Sequence, residues 1–311
     1  MSKRVACLGI AVADLVARPV ASIPARGKLS LVDRMTLHTG GCAVNTAIAL
    51  ARLGAQVSIL GAIGDDVLGR FVTDELQKHD VDAHGMKHRK DCSTSASMVL
   101  VHPDGERSFL HHLGANALFG PEDVDFEIIF NCRHLHVAGA LVMPRMDGEA
   151  TARILEQARG RGITTSLDTA WDASGRWLRT LQPCLPHLDY FMPSIEEAQE
   201  LSGLAEPEAI LDFFLERGPR TVILKMGQSG SMARNCAEAH SVCAIPSQTV
   251  DATGAGDCFA AGFLRGLMEE WDLLKCLRLG NTAGALCVRA AGATTGIGTF
   301  EEALALMEYF K

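Results

Sequence analysis

The sequence has little concentrated positive charge, few aromatic residues and no long apolar segment. Over 311 residues its formal net charge is −8 and its pI is about 5.8. A nucleic-acid-binding protein usually carries a basic patch, so we expect no nucleic-acid partner. The apolar stretch at residues 5–16 contains Asp14 and is too short to span a bilayer. We therefore expect a cytoplasmic protein without a membrane segment.

Cysteine and histidine are present, but not at metal-binding spacings. None of the 10 cysteines forms a CxxC pair, and most lie in apolar surroundings. That pattern is typical of small buried residues in a reducing compartment. His134 and His136 would share one face of a strand, yet no third ligand has a fitting local spacing. The sequence therefore indicates no zinc site.

Three common motifs of phosphate binding and nucleophilic catalysis are also missing. The Gly27-Lys28 pair is followed by leucine, which excludes a Walker P-loop. The first apolar run, residues 5–10, is not followed by GxGxxG, which excludes a Rossmann dinucleotide site. No strand–GxSxG–helix pattern indicates an α/β-hydrolase.

Apolar runs alternate with helical patterns along most of the chain. This alternation predicts a doubly wound, mostly parallel sheet with helices on both faces. Segments at about 12–39 and 95–112 instead predict short extended pieces, which would form a small β-sheet outside the main body. No linker separates two halves, so residues 1–311 are expected to form one domain. The predicted strands of the main sheet are residues 5–10, 56–63, 135–141, 164–167, 188–192, 220–225 and 241–246.

Residues 251–257, with the sequence DATGAGD, are the most informative stretch. A small-residue turn that opens a helix leaves backbone N–H groups unpaired at its positive end, which suits phosphate. Asp257 would be repelled by phosphate, so its presence there indicates a proton acceptor for an attacking hydroxyl. An ordinary turn with Asp257 as a helix cap is the alternative. The expected phosphoryl-binding groups are the backbone N–H groups of Gly254, Ala255 and Gly256.

This stretch resembles the C-terminal signature of the ribokinase-like (PfkB) carbohydrate and nucleoside kinases. Residues 40–45, GGCAVN, resemble the N-terminal signature of the same family. The resemblance covers essentially the full chain. It implies a ribokinase-like fold with a β lid over a sugar site, and ATP-dependent phosphorylation of a hydroxyl with Asp257 as catalytic base.

The resemblance also implies residues that hold the sugar. Asp14 follows the first predicted strand, where a carboxylate could accept two hydroxyls, although a turn aspartate is the alternative. Gly40 and Gly41 would let the backbone approach the ligand, and Asn45 would donate to and accept from a hydroxyl. Asn116 resembles an asparagine that lines the cleft.

The nucleotide side follows the family pattern with one departure. Ser194 stands where the family usually has asparagine, so its nucleotide contact is weakened, and Ser194 with Glu197 also reads as a capping box. The resemblance implies that Glu197 helps to hold Mg²⁺, through water. Lys225 would pair with phosphate.

Further contacts to ATP are implied later in the chain. Gly227 and Gly230 would lie along the phosphates and ribose, and Asn281 on the adenine side. The glycine-rich loop at 292–298 has two interpretations: it shapes the nucleotide site, or it forms a monovalent-cation (K⁺) site beside Asp251. The sequence leaves both open.

We predict an ATP- and Mg²⁺-dependent kinase of a sugar or sugar derivative. A homodimer is also expected, because two lids pack together in some relatives. A nucleoside kinase is the main alternative, but a base would need an aromatic wall and the chain is only 5% aromatic. A phosphosugar substrate would need a cationic cluster in the lid. It remains an alternative, because the lid segment contains Arg26, Lys28 and Arg34. A catalytically silent sugar sensor would not need Asp257.

Overall fold

The computed structural model describes residues 4–103 and 106–310, so part of the predicted turn at 103–106 lies outside the described residues. Apolar runs of the sequence form the centre of a nine-stranded sheet. Its strands are β1 (Arg4–Gly9), β4 (Gln56–Gly64), β5 (Asp82–Arg89), β8 (His134–Ala140), β9 (Thr164–Thr169), β10 (Tyr190–Phe191), β11 (Thr221–Lys225), β12 (Ser231–Asn235) and β13 (Ala239–Val242).

The strand order across this main sheet is β13-β12-β11-β10-β9-β8-β1-β4-β5. Neighbours are parallel from β11 to β5, whereas β12 pairs antiparallel with both β11 and β13. The predicted mostly parallel sheet is confirmed. Strand β12 was not predicted because its sequence, SMARN, has no apolar run, as is common near a sheet edge. The strand predicted at 241–246 is wrong in its bounds, since β13 ends at Val242.

Helices cover both faces of the main sheet, as expected for a doubly wound fold. Helices α1, α2, α8, α9 and α10 pack on one face together with Val5 and Cys7, and α3 to α7 pack on the other face with Ala6 and Leu8. The helices are α1 (Cys42–Arg52), α2 (Val67–Lys78), α3 (Phe126–Phe130), α4 (Glu149–Gly160), α5 (Trp177–Leu181), α6 (Ile195–Ser202), α7 (Pro207–Leu215), α8 (Ala255–Met268), α9 (Leu273–Cys287) and α10 (Phe300–Tyr309). Within the described ranges, none of these helices is both long and apolar enough to cross a bilayer.

A second sheet of four strands stands apart from the main one, in the order β3-β2-β6-β7. It comes from the two segments that the sequence predicts to be extended. Its strands are β2 (Val12–Arg18), β3 (Arg34–Gly40), β6 (Ala96–Val101) and β7 (Arg107–His112). We call it the small sheet.

Asp14 belongs to the small sheet. It follows the first predicted strand and falls within the 12–39 segment that the sequence predicts to be extended, and it lies inside β2, paired across the small sheet with His38 on β3 and Ser97 on β6. The chain passes from β1 into β2 after only Ile10 and Ala11. The Asp14 carboxylate is therefore carried by the small sheet rather than by the main body.

The two histidines of β8 have structural partners. Ser166 on the neighbouring strand β9 lies 2.7 Å from His134 Nε2 and 2.7 Å from His136 Nδ1. Both rings are buried, and burial lowers the pKa of His134 to about 3. They are thus neutral side chains within the sheet, paired through one serine hydroxyl.

Candidate active site

The DATGAGD stretch forms the turn that opens α8. Gly254 is the N-cap, in the left-handed region at φ 76°, and no side chain among the described residues caps this end. The backbone N–H groups of Gly256 and Asp257 therefore have no intrahelical acceptor and are available to an anion. Ala255 differs from its prediction, since its N–H donates to Ala252 O at 3.3 Å.

Gly254 is also required for packing within the protein. A Cβ at this position would lie 2.4 Å from the carbonyl oxygen of Ala293, in addition to the cost of its positive φ. At Gly256 the surroundings are different. A Cβ there would meet only the flexible end of Lys225, with Nζ at 3.2 Å. Gly256 thus faces the site, whereas Gly254 faces the 292–298 loop.

Asp257 lies in the first turn of α8 and contacts the start of α1. Its Oδ2 accepts a hydrogen bond from Asn45 Nδ2 at 2.8 Å, and the Cys42 thiol also donates to the carboxylate. Burial raises the pKa of Asp257 to about 6. Interactions with Asn45, Lys225 and Cys42 lower this pKa and so oppose part of the effect of burial. A carboxylate with a pKa near 6 is ionised at neutral pH and is still basic enough to accept a proton.

Asp14 lies on the opposite side of the same cleft. Burial raises the pKa of Asp14 to about 6, Ser97 lowers it by a hydrogen bond, and the nearby charge of Asp257 raises it further. Its carboxylate rests against Gly40, where a Cβ would lie 2.0 Å from Asp14 Oδ2. Gly41 has a φ of 86°, and a Cβ there would lie 2.5 Å from Ile10 O. The two glycines therefore allow β3 and α1 to close around Asp14.

Asn45 and Asn116 were both expected to contact the sugar, and the structure separates them. The Nδ2 of Asn45 donates to Asp257. The Oδ1 of the same side chain is buried and has no hydrogen-bond partner among the described residues. Asn116 is buried, and its amide both donates to Ala11 O and accepts from Ala11 N, each at 3.1 Å. Asn116 thus fixes the connection between β1 and β2, and its contact with the substrate stays a prediction.

The nucleotide side contains a buried ion pair. Lys225, at the end of β11, donates from Nζ to Asp168 Oδ2 at 2.5 Å, and Asp168 lies near the end of β9. Glu197 accepts from Thr169 Oγ1 at 2.8 Å and from Ser194 N at 3.1 Å, both through Oε2. The Ser194 hydroxyl caps α6, so the capping box is present. In the cap this hydroxyl accepts from Glu197 N, so the cap does not use its proton.

Comparison with known proteins identifies the family. A family model described as pfkB family carbohydrate kinase matches residues 2–299. The chain belongs to the PfkB family of carbohydrate kinases. Kinases of this family use ATP with Mg²⁺.

Individual relatives of this PfkB kinase differ in substrate. The chain is 27% identical over 288 residues to a 2-dehydro-3-deoxygluconokinase from Bacillus subtilis, covering 89% of this chain and 88% of that protein. It is 32% identical over 259 residues to an ATP-dependent ribose-1-phosphate kinase from Halopiger xanaduensis, covering 82% and 81%. A candidate ribokinase II from E. coli, solved with ATP and Mg²⁺, has the same fold, with a TM-score of 0.88 at 24% identity over 99% of this chain and 100% of that chain.

A cavity of about 330 Å³ lies between β13 and α9 of this PfkB kinase. Asn281 lines it, and its Nδ2 donates to the carbonyl oxygens of Val242 and Cys243 at 3.0 and 3.2 Å. Gly230 (φ 92°) is packed against β13, since a Cβ there would lie 2.0 Å from Val242 O, while the space around Gly227 is open. Gly227 is therefore the more accessible of the two glycines.

The small sheet of this PfkB kinase reaches the turn before α8. Arg107 on β7 donates from Nη1 to Thr253 Oγ1 at 2.6 Å, and its guanidinium lies 3.7 Å from Asp251 Oδ1. Asp251 in turn accepts from Thr253 N at 2.9 Å and from Gly292 N at 3.0 Å. Asp251 thus joins the turn to the 292–298 loop through backbone contacts, and its interpretation as a K⁺ ligand stays a prediction.

The sequence analysis did not identify Asp168, Cys42 or His38 as site residues. Asp168 directly follows the predicted strand at 164–167, and carboxyl ends of parallel strands meet at the ligand edge of such sheets. Cys42 lies inside the GGCAVN signature, but the sequence analysis gives it no role. His38 lies close to Gly292, where a Cβ would be 2.7 Å from its Nδ1, a contact between distant segments that no local pattern indicates.

Proposed function

We propose that this kinase transfers the γ-phosphoryl group of ATP to a hydroxyl of a sugar or sugar derivative, with Asp257 as the catalytic base. The observation that carries the proposal is the placement of Asp257. It is a carboxylate with a pKa of about 6, in the first turn of a helix whose N–H groups are open to an anion. Asp257 is therefore close to the N–H groups that would bind the phosphoryl group, where a proton acceptor for the attacking hydroxyl is needed.

In the proposed step the acceptor oxygen attacks the γ-phosphorus while its proton passes to Asp257. A new oxygen–phosphorus bond forms, the bond from the γ-phosphorus to the β,γ-bridging oxygen breaks, and ADP leaves with that oxygen. Backbone N–H groups of Gly256 and Asp257 stabilise the negative charge on the transferring group. Asn45 orients the Asp257 carboxylate by the hydrogen bond to Oδ2, which leaves Oδ1 to meet the hydroxyl.

The residues present also suit Mg²⁺ and triphosphate. The carboxylates of Asp168, Glu197 and Asp257 surround a single ammonium, that of Lys225, so the site has an excess of negative charge that favours a divalent cation. All hydrogen bonds of Glu197 in the described residues fall on Oε2, which leaves Oε1 for a metal-bound water. Bound Mg²⁺ supplies charge neutralisation of the triphosphate. Asn281 and the cavity beside it hold the adenine end.

The small sheet is the lid in this proposal. Its inner face carries Asp14, His38 and Ser97, which face the cleft together with His111 on β7. Ser97 Oγ lies 3.1 Å from His111 Nδ1. These groups and Asn45 Oδ1 offer several donors and acceptors to sugar hydroxyls, and closure over them excludes water as a competing acceptor.

The outer face of the small sheet supports the predicted homodimer. The cross-strand registers place Leu37, Leu15, Met98 and Leu110 in one row across all four strands. Leu37, Met98 and Leu110 are 37%, 42% and 59% exposed. An apolar row of this kind is unfavourable in water, and a second copy of the same sheet would cover it.

The experiment that tests the function is a substrate panel. ADP release would be measured with ribose, fructose, 2-dehydro-3-deoxygluconate, ribose 1-phosphate, fructose 6-phosphate and adenosine, each with MgATP. We expect turnover with at least one sugar or sugar derivative and loss of that turnover in Asp257→Asn. Turnover with adenosine alone would favour the nucleoside kinase. Binding of a sugar by calorimetry without ADP release would instead indicate a sensor.

A further inference from the structure

Lys225 is held by one carboxylate although three lie around it. Its ammonium is largely buried, with 12% of the side chain exposed, and its Nζ pairs with Asp168 Oδ2 at 2.5 Å. Burial by itself would lower the pKa of Lys225, but Asp168, Glu197 and Asp257 together raise it, so the lysine stays charged. The ammonium lies beside the α8 turn at Gly256, where an added Cβ would be 3.2 Å from Lys225 Nζ.

Asp168 does not have the contacts of a structural carboxylate. Asp172, four residues later, accepts from the backbone N–H groups of Ser174, Arg176 and Trp177 and so fixes a loop. Asp168 makes a single side-chain hydrogen bond, to Lys225, and its Oδ1 is buried with no hydrogen-bond partner in the described part of the chain. Among the described residues, Lys225 is thus the side chain to which Asp168 is hydrogen-bonded, and these contacts point to a role that acts through Lys225.

The alternative partner of Lys225 is the catalytic base. Lysine has a long, flexible side chain, and the charge of Asp257 already acts on the Lys225 ammonium, so the two would pair in the absence of a competitor. Such a pair would make Asp257 a weaker base and would block its second oxygen. Asp168 lies on β9, two strands away from β11 in the main sheet, so it pulls the ammonium toward the centre of the sheet.

We propose that Asp168 is a positioning residue, which holds the Lys225 ammonium beside Gly256 and off Asp257. The lysine then meets the transferring phosphoryl group while the base stays free to take the proton of the hydroxyl. This inference rests on the proposed function, because it assumes that Asp257 is the base. It assigns to Asp168, in addition to its share of the negative charge that favours Mg²⁺, a role in the reaction that acts through another side chain.

The test is Asp168→Asn, assayed with the best acceptor of the panel above. We expect kcat to fall about 10- to 100-fold, as for a misplaced catalytic group. KM for the acceptor should stay within about threefold, since Asp168 does not contact it. The acid limb of kcat/KM should move to lower pH by about one unit, because the charge of Lys225 is no longer neutralised and acts on Asp257. Asp189→Asn is the matched control: Asp189 is also buried and ion-paired, 3.0 Å from Arg220, but it precedes β10, at the amino ends of the parallel strands, whereas Asp168 lies near the carboxyl end of β9.

A double-mutant cycle separates positioning from simple neutralisation of a buried charge. If Asp168 acts through Lys225, Asp168→Asn in a Lys225→Met background should cost less than about twofold in kcat. The double variant also removes the unpaired ammonium, so it remains informative if Asp168→Asn alone does not fold. A full and independent loss in that background would overturn the inference, and so would an unmoved acid limb. If Asp257→Asn keeps its activity, the proposed function fails instead, whichever result Asp168→Asn gives.

Discussion

The hydrogen bond from Asn45 to Asp257 should set the pH at which the enzyme becomes active. Asn45→Ala removes the 2.8 Å bond to Oδ2, which favours the ionised carboxylate. A hydrogen bond to a charged group is worth about 1.5–3 kcal/mol, and one pKa unit corresponds to about 1.36 kcal/mol. The pKa of Asp257, about 6 in the native protein, should therefore rise by about one to two units.

The direction of the resulting rate change follows from the role of the base. Asp257 must be ionised to accept a proton, so kcat/KM falls as the pH drops through its pKa. With the pKa raised to about 7–8, ionisation alone should reduce the rate at pH 7 by about 2- to 10-fold, and this part of the loss should disappear by about pH 9. Any deficit that remains at high pH measures the contact of Asn45 with the sugar.

The assay is kcat/KM for the acceptor from about pH 5 to pH 9, which reports the pKa values of the free enzyme. Thr46→Val is the matched control, because Thr46 is the next residue on α1 and donates only to the backbone oxygen of Asp257, at 3.4 Å. Its acid limb should stay near that of the native protein. Loss of activity in Asn45→Ala that is equal at every pH would refute the reasoning, since Asn45 would then act on the sugar alone.

Three further outcomes are expected. Asp257→Asn should lower kcat by about 10²–10⁴-fold while a non-hydrolysable ATP analogue still binds, as calorimetry would show; near-native turnover would contradict the base assignment. Gly256→Ala should fold normally but lower kcat, because the new methyl group lies between the α8 turn and Lys225; a native thermal midpoint with native kcat would place the phosphoryl group elsewhere. Met98→Lys should shift the sedimentation coefficient from dimer to monomer, because the charge falls in the apolar row beside Leu110; an unchanged coefficient would mean that the outer face is not the interface.

The sequence was sufficient to predict most strands of the main sheet, though not β5 or β12, and the turn before α8. Buried parallel strands appear as continuous apolar runs, and the glycines of DATGAGD and GGCAVN mark backbone conformations that few other residues adopt. Gly254 illustrates the limit. The sequence indicates a glycine that lets phosphate approach the backbone. In the structure a Cβ at this position would collide with Ala293 O, which lies 39 residues later in the chain. This contact exists only in the folded protein.

The pairing of side chains could not be predicted from local patterns. Asp168 and Lys225 each end a separate strand, and their contact depends on the strand order between them. The partner of Asn45 likewise depends on how α1 packs against α8, although both residues lie in recognisable motifs. The partner of Asn116 is not visible in local patterns for the same reason, since its bonds to Ala11 arise where two distant segments meet.

The division of the site between two sheets has a consequence for how such an enzyme can change its substrate. Asp14, His38 and Ser97 lie on strands β2, β3 and β6, whereas Asp257 and the other groups proposed to act in phosphoryl transfer belong to the main body. Residues 12–40 and 96–112 could therefore be exchanged as one module between relatives, carrying new hydroxyl recognition onto unchanged transfer chemistry. The exchange has one constraint, which is Arg107 on β7. A grafted module must bring a side chain that still reaches Thr253, because otherwise the small sheet would lose its hydrogen bond to the turn before α8.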